Sequence, residues 1–376
     1  MNIIINSASL LKQLNALKGV LLSNPIMPIL ENFLFDVNGQ KLTITASDMQ
    51  NTITAEVNVD SDTDGRICIP ARMFMETLQN LPEQPITIKA NLETFAVEIV
   101  ANKGRYRLAG EDSSDYPLPR TTQKSTNSIE LQSEVLSSAI AYTLFAVSKD
   151  EMKPAMNGMY VNIKPDKADF VTTDSYRLVR YRRTDVTSET EISVILPKKA
   201  LSLLKGALPD NSMVKLGFTN SNAFFEFGNM KLVCRLIDER FPDYENVIPL
   251  NNSNVLTFDK KETLGALKRV GIYANKTTNL LKLKLDLEHS FVVSAENADF
   301  ESEASENVEA EYMGAEMLVG FQYFMLAEML SAILTENIKL SLSAPNRAAL
   351  ILPQYQTANE EVLMLIMPLS LDAYRY

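Results

Sequence analysis

The sequence predicts an α+β protein of three similar domains, each built from two successive strand–helix–three-strand units. Three observations carry that expectation. Amphipathic helices recur at 7–22, 132–147 and 259–274, with Ser or Asp as caps and apolar residues returning at intervals of three and four. The stretch after the first, "PILENFLFDVNGQKLTITASDMQNTITAEV", parallels "PAMNGMYVNIKPDKADFVTTDSYRLVRYRR" after the second, both reading as strand, turn, strand, Asp, strand. The spacing is also steady, with Pro70 and Pro197 127 residues apart and Asp48 and Asp174 126 apart.

A second helix closes each repeat. "RICIPARMFMETLQNL", "SVILPKKALSLLKGAL" and "MLVGFQYFMLAEMLSAIL" each pass from a short strand into an apolar-periodic helix. Proline suits the start of the first two, where its missing N–H has no intrahelical partner in any case. The domains are therefore drawn at 1–120, 128–248 and 252–376. Between them lie "EDSSDYPLP" and "DERFPDYENVIP", proline-bearing joints that hold orientation where a Gly/Ser linker would not.

Composition narrows the function. The chain has 376 residues, with 46% apolar and 22% charged, the balance of a soluble globular protein. No window approaches the 18 apolar residues of a membrane span, and the start lacks a basic n-region, so a cytoplasmic location is expected. Cys68 and Cys234 sit singly in apolar runs and read as buried, reduced thiols. With His289 as the one histidine, no Ser-His-Asp or Cys-His set can be assembled, and no glycine-rich phosphate loop is present. Asp48 and Asp174 fall at matching repeat positions. A shared turn or cap explains that better than paired acid–base catalysis. A binding protein without catalytic activity, metal or cofactor is the expectation.

A net charge of -11 argues against a phosphate-binding partner until its distribution is read. The six expected helices, 7–22, 71–81, 133–149, 197–208, 259–276 and 320–335, together carry +7, which leaves -18 for everything else. Taken singly, such lysines solvate helix faces; recurring on equivalent elements of three repeats, they would share one direction. Two edges also contrast. "NKGRYRL" (102–108) is basic, and "NADFESEASENVEAE" (297–311) is acidic. Opposite edges suit head-to-tail association between copies, although charged edge strands also guard against aggregation.

Several motifs together resemble the bacterial β sliding clamp family, the processivity subunit of DNA polymerase III. They are "PARMFMETLQNLP" (70–82), "MNGMY" (156–160), "VTTDSYRL" (171–178), "RFPDYENVIP" (240–249), "YMGAEMLVGF" (312–321) and "LIMPLSL" (365–371), in family order over essentially the whole chain. The resemblance implies three domains of the DNA-clamp fold per subunit and a head-to-tail homodimer closing a six-domain ring, with helices lining the hole. It implies a clamp that encircles double-stranded DNA without reading sequence, tethers the replicative polymerase and catalyses nothing. Weak phosphate contacts and local screening over about 8 Å suit sliding. The alternative is a clamp-fold scaffold that never encircles DNA.

The implied partners are the DNA polymerase III alpha subunit, the clamp loader delta subunit and other proteins carrying clamp-binding motifs. By the resemblance, their peptides would enter an apolar pocket formed by Met156, Thr173, Ser175, Tyr176, Arg177 and Leu178. Pro242, Asn246 and Val247 would add the joint, Gln322 and Met325 the rim, and Leu365, Ile366, Met367, Pro368 and Leu369 the C-terminal side. Methionine and aliphatic side chains make such a surface adaptable. Lys12, Arg72, Lys149, Lys153, Lys198 and Lys199 are the expected DNA-facing cations. Arg105, Tyr106 and Leu108 would meet Ile272, Tyr273, Glu301 and Glu303 of a second copy. The sequence departs from the family pattern at Tyr176 and Asn246, where His and Arg are expected, at Ser370, where Arg is common, and in a final "DAYRY".

Overall fold

Six strand–helix–three-strand units follow one another in the computed structural model, which describes residues 1–118, 127–286 and 289–371. The first repeat holds β1 (Asn2–Asn6), α1 (Ser7–Leu17), β2 (Asn32–Asn38), β3 (Lys41–Ser47) and β4 (Asn51–Asn58). After a short β5 (Asp60–Thr63) come β6 (Gly65–Pro70), α2 (Ala71–Gln79), β7 (Pro85–Ala90), β8 (Ala96–Val100) and β9 (Arg105–Ala109). The middle repeat begins with β10 (Asn127–Gln132), α3 (Ser133–Thr143), β11 (Gly158–Ile163), β12 (Ala168–Thr173) and β13 (Arg177–Arg183). It continues with β14 (Ile192–Pro197), α4 (Lys198–Ala207), β15 (Met213–Phe218), β16 (Asn222–Phe227) and β17 (Met230–Arg235). The third has β18 (Asn254–Asp259), α5 (Lys260–Val270), β19 (Leu280–Leu285), β20 (Ser290–Asn297) and β21 (Ser302–Met313). Its second half is β22 (Met317–Gln322), α6 (Tyr323–Ala332), β23 (Asn337–Leu342), β24 (Ala349–Pro353) and β25 (Glu360–Ile366).

Within each repeat the two halves exchange their first strands. β1 pairs with β7 and β6 with β2; β10 pairs with β15 while β14 lies beside β11; β18 pairs with β23 and β22 with β19. A half therefore cannot complete its sheet alone. The sheets also run from one repeat to the next, because β4 pairs with β17 and β13 with β25, both antiparallel. An eight-stranded and a twelve-stranded sheet result, beside a five-stranded one. The chain accordingly forms two compact units, residues 1–137 with 196–237, and residues 138–195 with 238–376. Apolar faces of the strands bury against the helices, with Phe33, Phe35, Phe74, Phe170, Phe225, Phe291 and Phe321 fully enclosed.

Helix ends differ from the sequence reading. Asn6, rather than Ser7, caps α1 by accepting from the Ser9 N–H at 3.0 Å, whereas Asp259 caps α5 as expected, accepting from Glu262 at 2.7 Å. Pro70 and Pro197 are themselves the cap residues of α2 and α4. The first helices of the repeats are shorter than predicted, each tightening into a 3-10 turn, at Lys18–Val20, Leu144–Ala146 and Gly271–Tyr273. In α3 the Thr143 hydroxyl bonds back to the Ala139 carbonyl at 2.6 Å, competing with the last helical turn. Lys18, Lys149 and Lys276 thus fall outside the helices, and Asp259 becomes a cap. The six helices carry +5 rather than +7.

Both thiols are free and buried, and burial pushes each up to about 12. No helix among the described residues is long and apolar enough to cross a membrane. The final Asp372–Tyr376 segment lies outside the described residues.

Candidate docking site and charged faces

Of the expected pocket residues, Thr173, Ser175, Tyr176, Arg177 and Leu178 lie on or beside the turn from β12 to β13. Asp174 forms that turn by accepting from the Tyr176 N–H at 3.0 Å and the Arg177 N–H at 2.9 Å, which lets Ser175 adopt a φ of 80°. Asp48 acts alike in the first repeat, accepting from Gln50 at 2.9 Å and Asn51 at 2.6 Å, with Met49 at a φ of 72°. The two aspartates recur because a turn recurs.

Register then decides which side chains meet. Thr173 pairs with Leu178 and Leu178 with Leu365, so these three share one sheet face. Val171, Arg180, Asp169, Arg182 and Tyr160 lie on the same face. Here the joint 236–249 is anchored. Phe241 stacks on Tyr160 with ring centroids 4.7 Å apart, and the Tyr244 hydroxyl donates to Asp169 at 3.0 Å. Asp169 also takes two bonds from Arg182, at 2.6 and 2.9 Å, so its charge is fully paired inside the fold. Pro242, Asn246 and Val247 ride exposed on this anchored segment, Asn246 bonding Asp243 at 2.6 Å. Leu178 and Leu365 are buried; Thr173 is buried too.

Arg177 and Ile366 fall on the opposite face of the same sheet, away from that floor. Arg177 donates to Asp174 at 2.9 Å, to Glu328 of α6 at 2.6 Å and to the Phe145 carbonyl at 2.9 Å, and its guanidinium lies 5.1 Å from the Phe145 ring centre. It is a buried tie among three elements. The C-terminal segment then crosses from one strand to another. The Met367 N–H donates to the Tyr176 carbonyl at 2.8 Å, and the Leu369 N–H to the Gly320 carbonyl at 2.8 Å. A side chain at Gly320 would meet Leu371 at 2.8 Å, so the glycine admits the crossing. Leu369 is thereby set against β22, near Gln322, while Met325 is half-buried on α6 and Pro368 half-buried beside Leu369. The Gln322 side-chain oxygen is buried without a hydrogen-bond partner.

Met156 closes the site from the loop before β11. Its sulfur accepts from the Ser175 hydroxyl at 3.4 Å, and Lys153 donates to that hydroxyl at 3.1 Å. Lys153 thus stands beside the expected pocket residues Met156 and Ser175, a neighbourhood the sequence reading did not give it. Lys199 is also engaged, pairing with Asp48 at 2.6 Å and donating to the Val20 carbonyl at 2.9 Å. At that junction a side chain on Gly19 would meet Leu203 at 2.9 Å, so α4 packs directly on the turn after α1. Lys12 and Lys149 are exposed, Arg72 is exposed and bonded to Glu76 at 3.1 Å, and Lys198 begins α4 half-buried.

Among the open strand edges of the described residues, two carry opposite charge. β9 pairs only with β8, leaving the edge of Arg105–Ala109 free; Arg105 and Tyr106 are exposed, but Leu108 points into the core. In β21, residues 302–309 pair only with β20, and β18 joins from Ala310 onward. Glu303 is exposed along that free stretch, Glu301 occupies the left-handed turn before it, and Ile272 and Tyr273 are exposed in the 3-10 turn after α5.

Family models for the DNA polymerase III beta subunit match three consecutive stretches, the N-terminal domain at 1–120, the central domain at 130–243 and the C-terminal domain at 245–370. The chain is 28% identical to a beta sliding clamp of Synechococcus elongatus over 93% of its length and 94% of that protein. To a beta sliding clamp of Pseudomonas putida it is 27% identical, over 99% and 100%. A crystal structure of a Pseudomonas aeruginosa sliding clamp bound to griselimycin superposes with a TM-score of 0.93 at 26% identity, covering 99% of this chain and 100% of that one.

Proposed function

The chain belongs to the DNA polymerase III beta subunit family and functions as a DNA sliding clamp, and we propose that it works as a head-to-tail homodimer enclosing duplex DNA. The observation that carries the dimer is the pair of open edges, basic on β9 of the first repeat and acidic on residues 302–309 of the third. Two such edges complete each other's hydrogen bonding and charge, and two copies joined at both ends close a ring. Arg105 and Tyr106 would face Ile272, Tyr273, Glu301 and Glu303, with Leu108 supporting β9 from beneath.

In this reading the helices of the three domains, 1–120, 128–248 and 252–376, face the DNA, with the basic charge concentrated on α4 and α5. Lys12, Arg72 and Lys198 serve as phosphate contacts and Lys149 as a loop contact. Enclosure supplies retention, so the contacts need no sequence readout and no tight grip. The protein catalyses nothing, carries no cofactor and acts in the cytoplasm.

The docking face of Thr173, Leu178 and Leu365, flanked by Met156, Tyr176, Val247 and Met367, receives apolar peptide segments. Those of the DNA polymerase III alpha subunit and the clamp loader delta subunit are the proposed ligands. The Pseudomonas aeruginosa clamp bound to griselimycin supports a ligand site in the family. The deciding experiment loads the protein on nicked circular DNA with a clamp loader and then linearises the circle. Loss of the protein from the cut DNA is expected; retention after cutting, or failure to load, overturns enclosure.

A further inference from the structure

We infer that the open edge of β22, with the acidic cavity beyond its start, receives this chain's own C-terminal residues Asp372–Tyr376 as a strap. The inference is independent of DNA enclosure and of ligand docking. Its ground is a strand pairing that is begun and left incomplete. Odd-numbered residues of β22 turn their backbone groups toward β19, a parity continued where the Tyr323 N–H donates to the Asn279 carbonyl at 2.9 Å. Even-numbered ones therefore face the free edge. There the Leu369 N–H donates to the Gly320 carbonyl at 2.8 Å in an antiparallel bridge, the one pairing on that edge among the described residues. Leu318 presents its N–H and carbonyl in the same direction. Antiparallel order brings Leu371 opposite Leu318 and Ala373 opposite Glu316.

Side chains on this edge also lack a cover. Leu371 lies 2.8 Å from where a side chain on Gly320 would begin, so the segment already closes on β22. Met317 and Val319 are buried, whereas Leu318 on the outer face is 42% exposed. Past the start of β22 a cavity opens, lined by Asp286, His289, Glu311, Met313 and Glu316. Lys284 engages Asp286 at 2.5 Å. The carboxylates of Glu311 and Glu316 make no hydrogen bond or salt bridge among the described residues, and Met313 is 72% exposed. Four residues from Leu371 to Arg375 span up to about 13 Å, against roughly 7 Å along the strand from Leu318 to Glu316. Asp372 falls before the cavity, opposite Met317, and Arg375 reaches it. The segment's one cation then meets two unengaged carboxylates, with Tyr374 and Tyr376 on either side of it to cover Met313.

Amide hydrogen exchange on the full-length protein, resolved to single residues, tests this at Leu318. Deleting Asp372–Tyr376 should speed exchange there about tenfold, with Phe170 and Ile351 unchanged as controls. Arg375→Glu alone should speed it about fivefold, and adding Glu316→Arg should restore slow exchange. A deletion that leaves Leu318 unchanged overturns the inference. So does one that speeds exchange at the Tyr176 turn instead, which would put the segment over the docking face. Protection of Leu318 that falls on dilution assigns the segment to a second copy and overturns the strap. An Arg375→Glu effect that Glu316→Arg does not reverse overturns the cavity as its seat.

Discussion

The guanidinium of Arg177 joins the β12–β13 turn, the 3-10 turn after α3 and the helix α6, and its Glu328 partner lies 151 residues away. Removing it leaves the half-buried Asp174 without its countercharge. Arg177→Met should therefore lower stability by about 2–3 kcal/mol, below the usual 3–5 for a buried pair because Glu328 is half-exposed. Glu328→Gln should cost under about 1 kcal/mol. Urea unfolding of both variants checks this; equal effects would show that the carboxylate of α6, not the turn, anchors the arginine. At this scale the sequence was legible where the cause was local. Asp48 and Asp174 could be read as turn formers because their partners lie two and three residues on. The roles of Arg177, Lys153 and Lys199 depend on long-range partners or loop geometry, and residue type alone pointed them toward a pocket wall or DNA.

At the scale of elements, the strand–helix–three-strand order of all six units was readable because apolar periodicity is strong within each. Helix lengths were not, since 3-10 turns keep the same apolar spacing while tightening the backbone. The apolar run "LMLIMPL" (363–369) reads as a buried terminal strand and, by the resemblance, as part of the pocket. The two readings divide at Ile366: β25 is buried to that residue, and Met367 emerges beyond it to meet the Tyr176 turn. Deleting Met367–Tyr376 should then abolish peptide binding while β25 and its pairing with β13 survive. Unchanged peptide affinity in the truncated protein, with native circular dichroism, would contradict the assignment.

For the whole molecule, the contrast of charged edges was visible in composition, and the free hydrogen-bonding groups were visible only in the register. Leu108 shows the limit. A five-residue strand carries an outward and an inward face, and the inward one was grouped with the edge. Replacing Arg105 and Arg107 by Glu should weaken the proposed head-to-tail dimer at least tenfold through like-charge opposition. Sedimentation at low and high salt reads the effect, and an unaltered profile would count against the head-to-tail edge. Arg107 bonds Glu98 within its own sheet at 3.3 Å, so Arg105→Glu alone should carry most of the change.

The exchange of first strands also sets a timetable for a chain emerging from the ribosome. Asn2 waits for Lys89 before β1 has its partner in β7, and Asn51 on β4 waits for Cys234 on β17. Folding therefore advances repeat by repeat, and one strand edge of the first repeat stays unclaimed through about half of synthesis. Glu56, exposed at the end of the Asn51–Ala55 run on that edge, sets a charge beside otherwise apolar and β-branched residues and discourages a nascent intermediate from pairing with its neighbours.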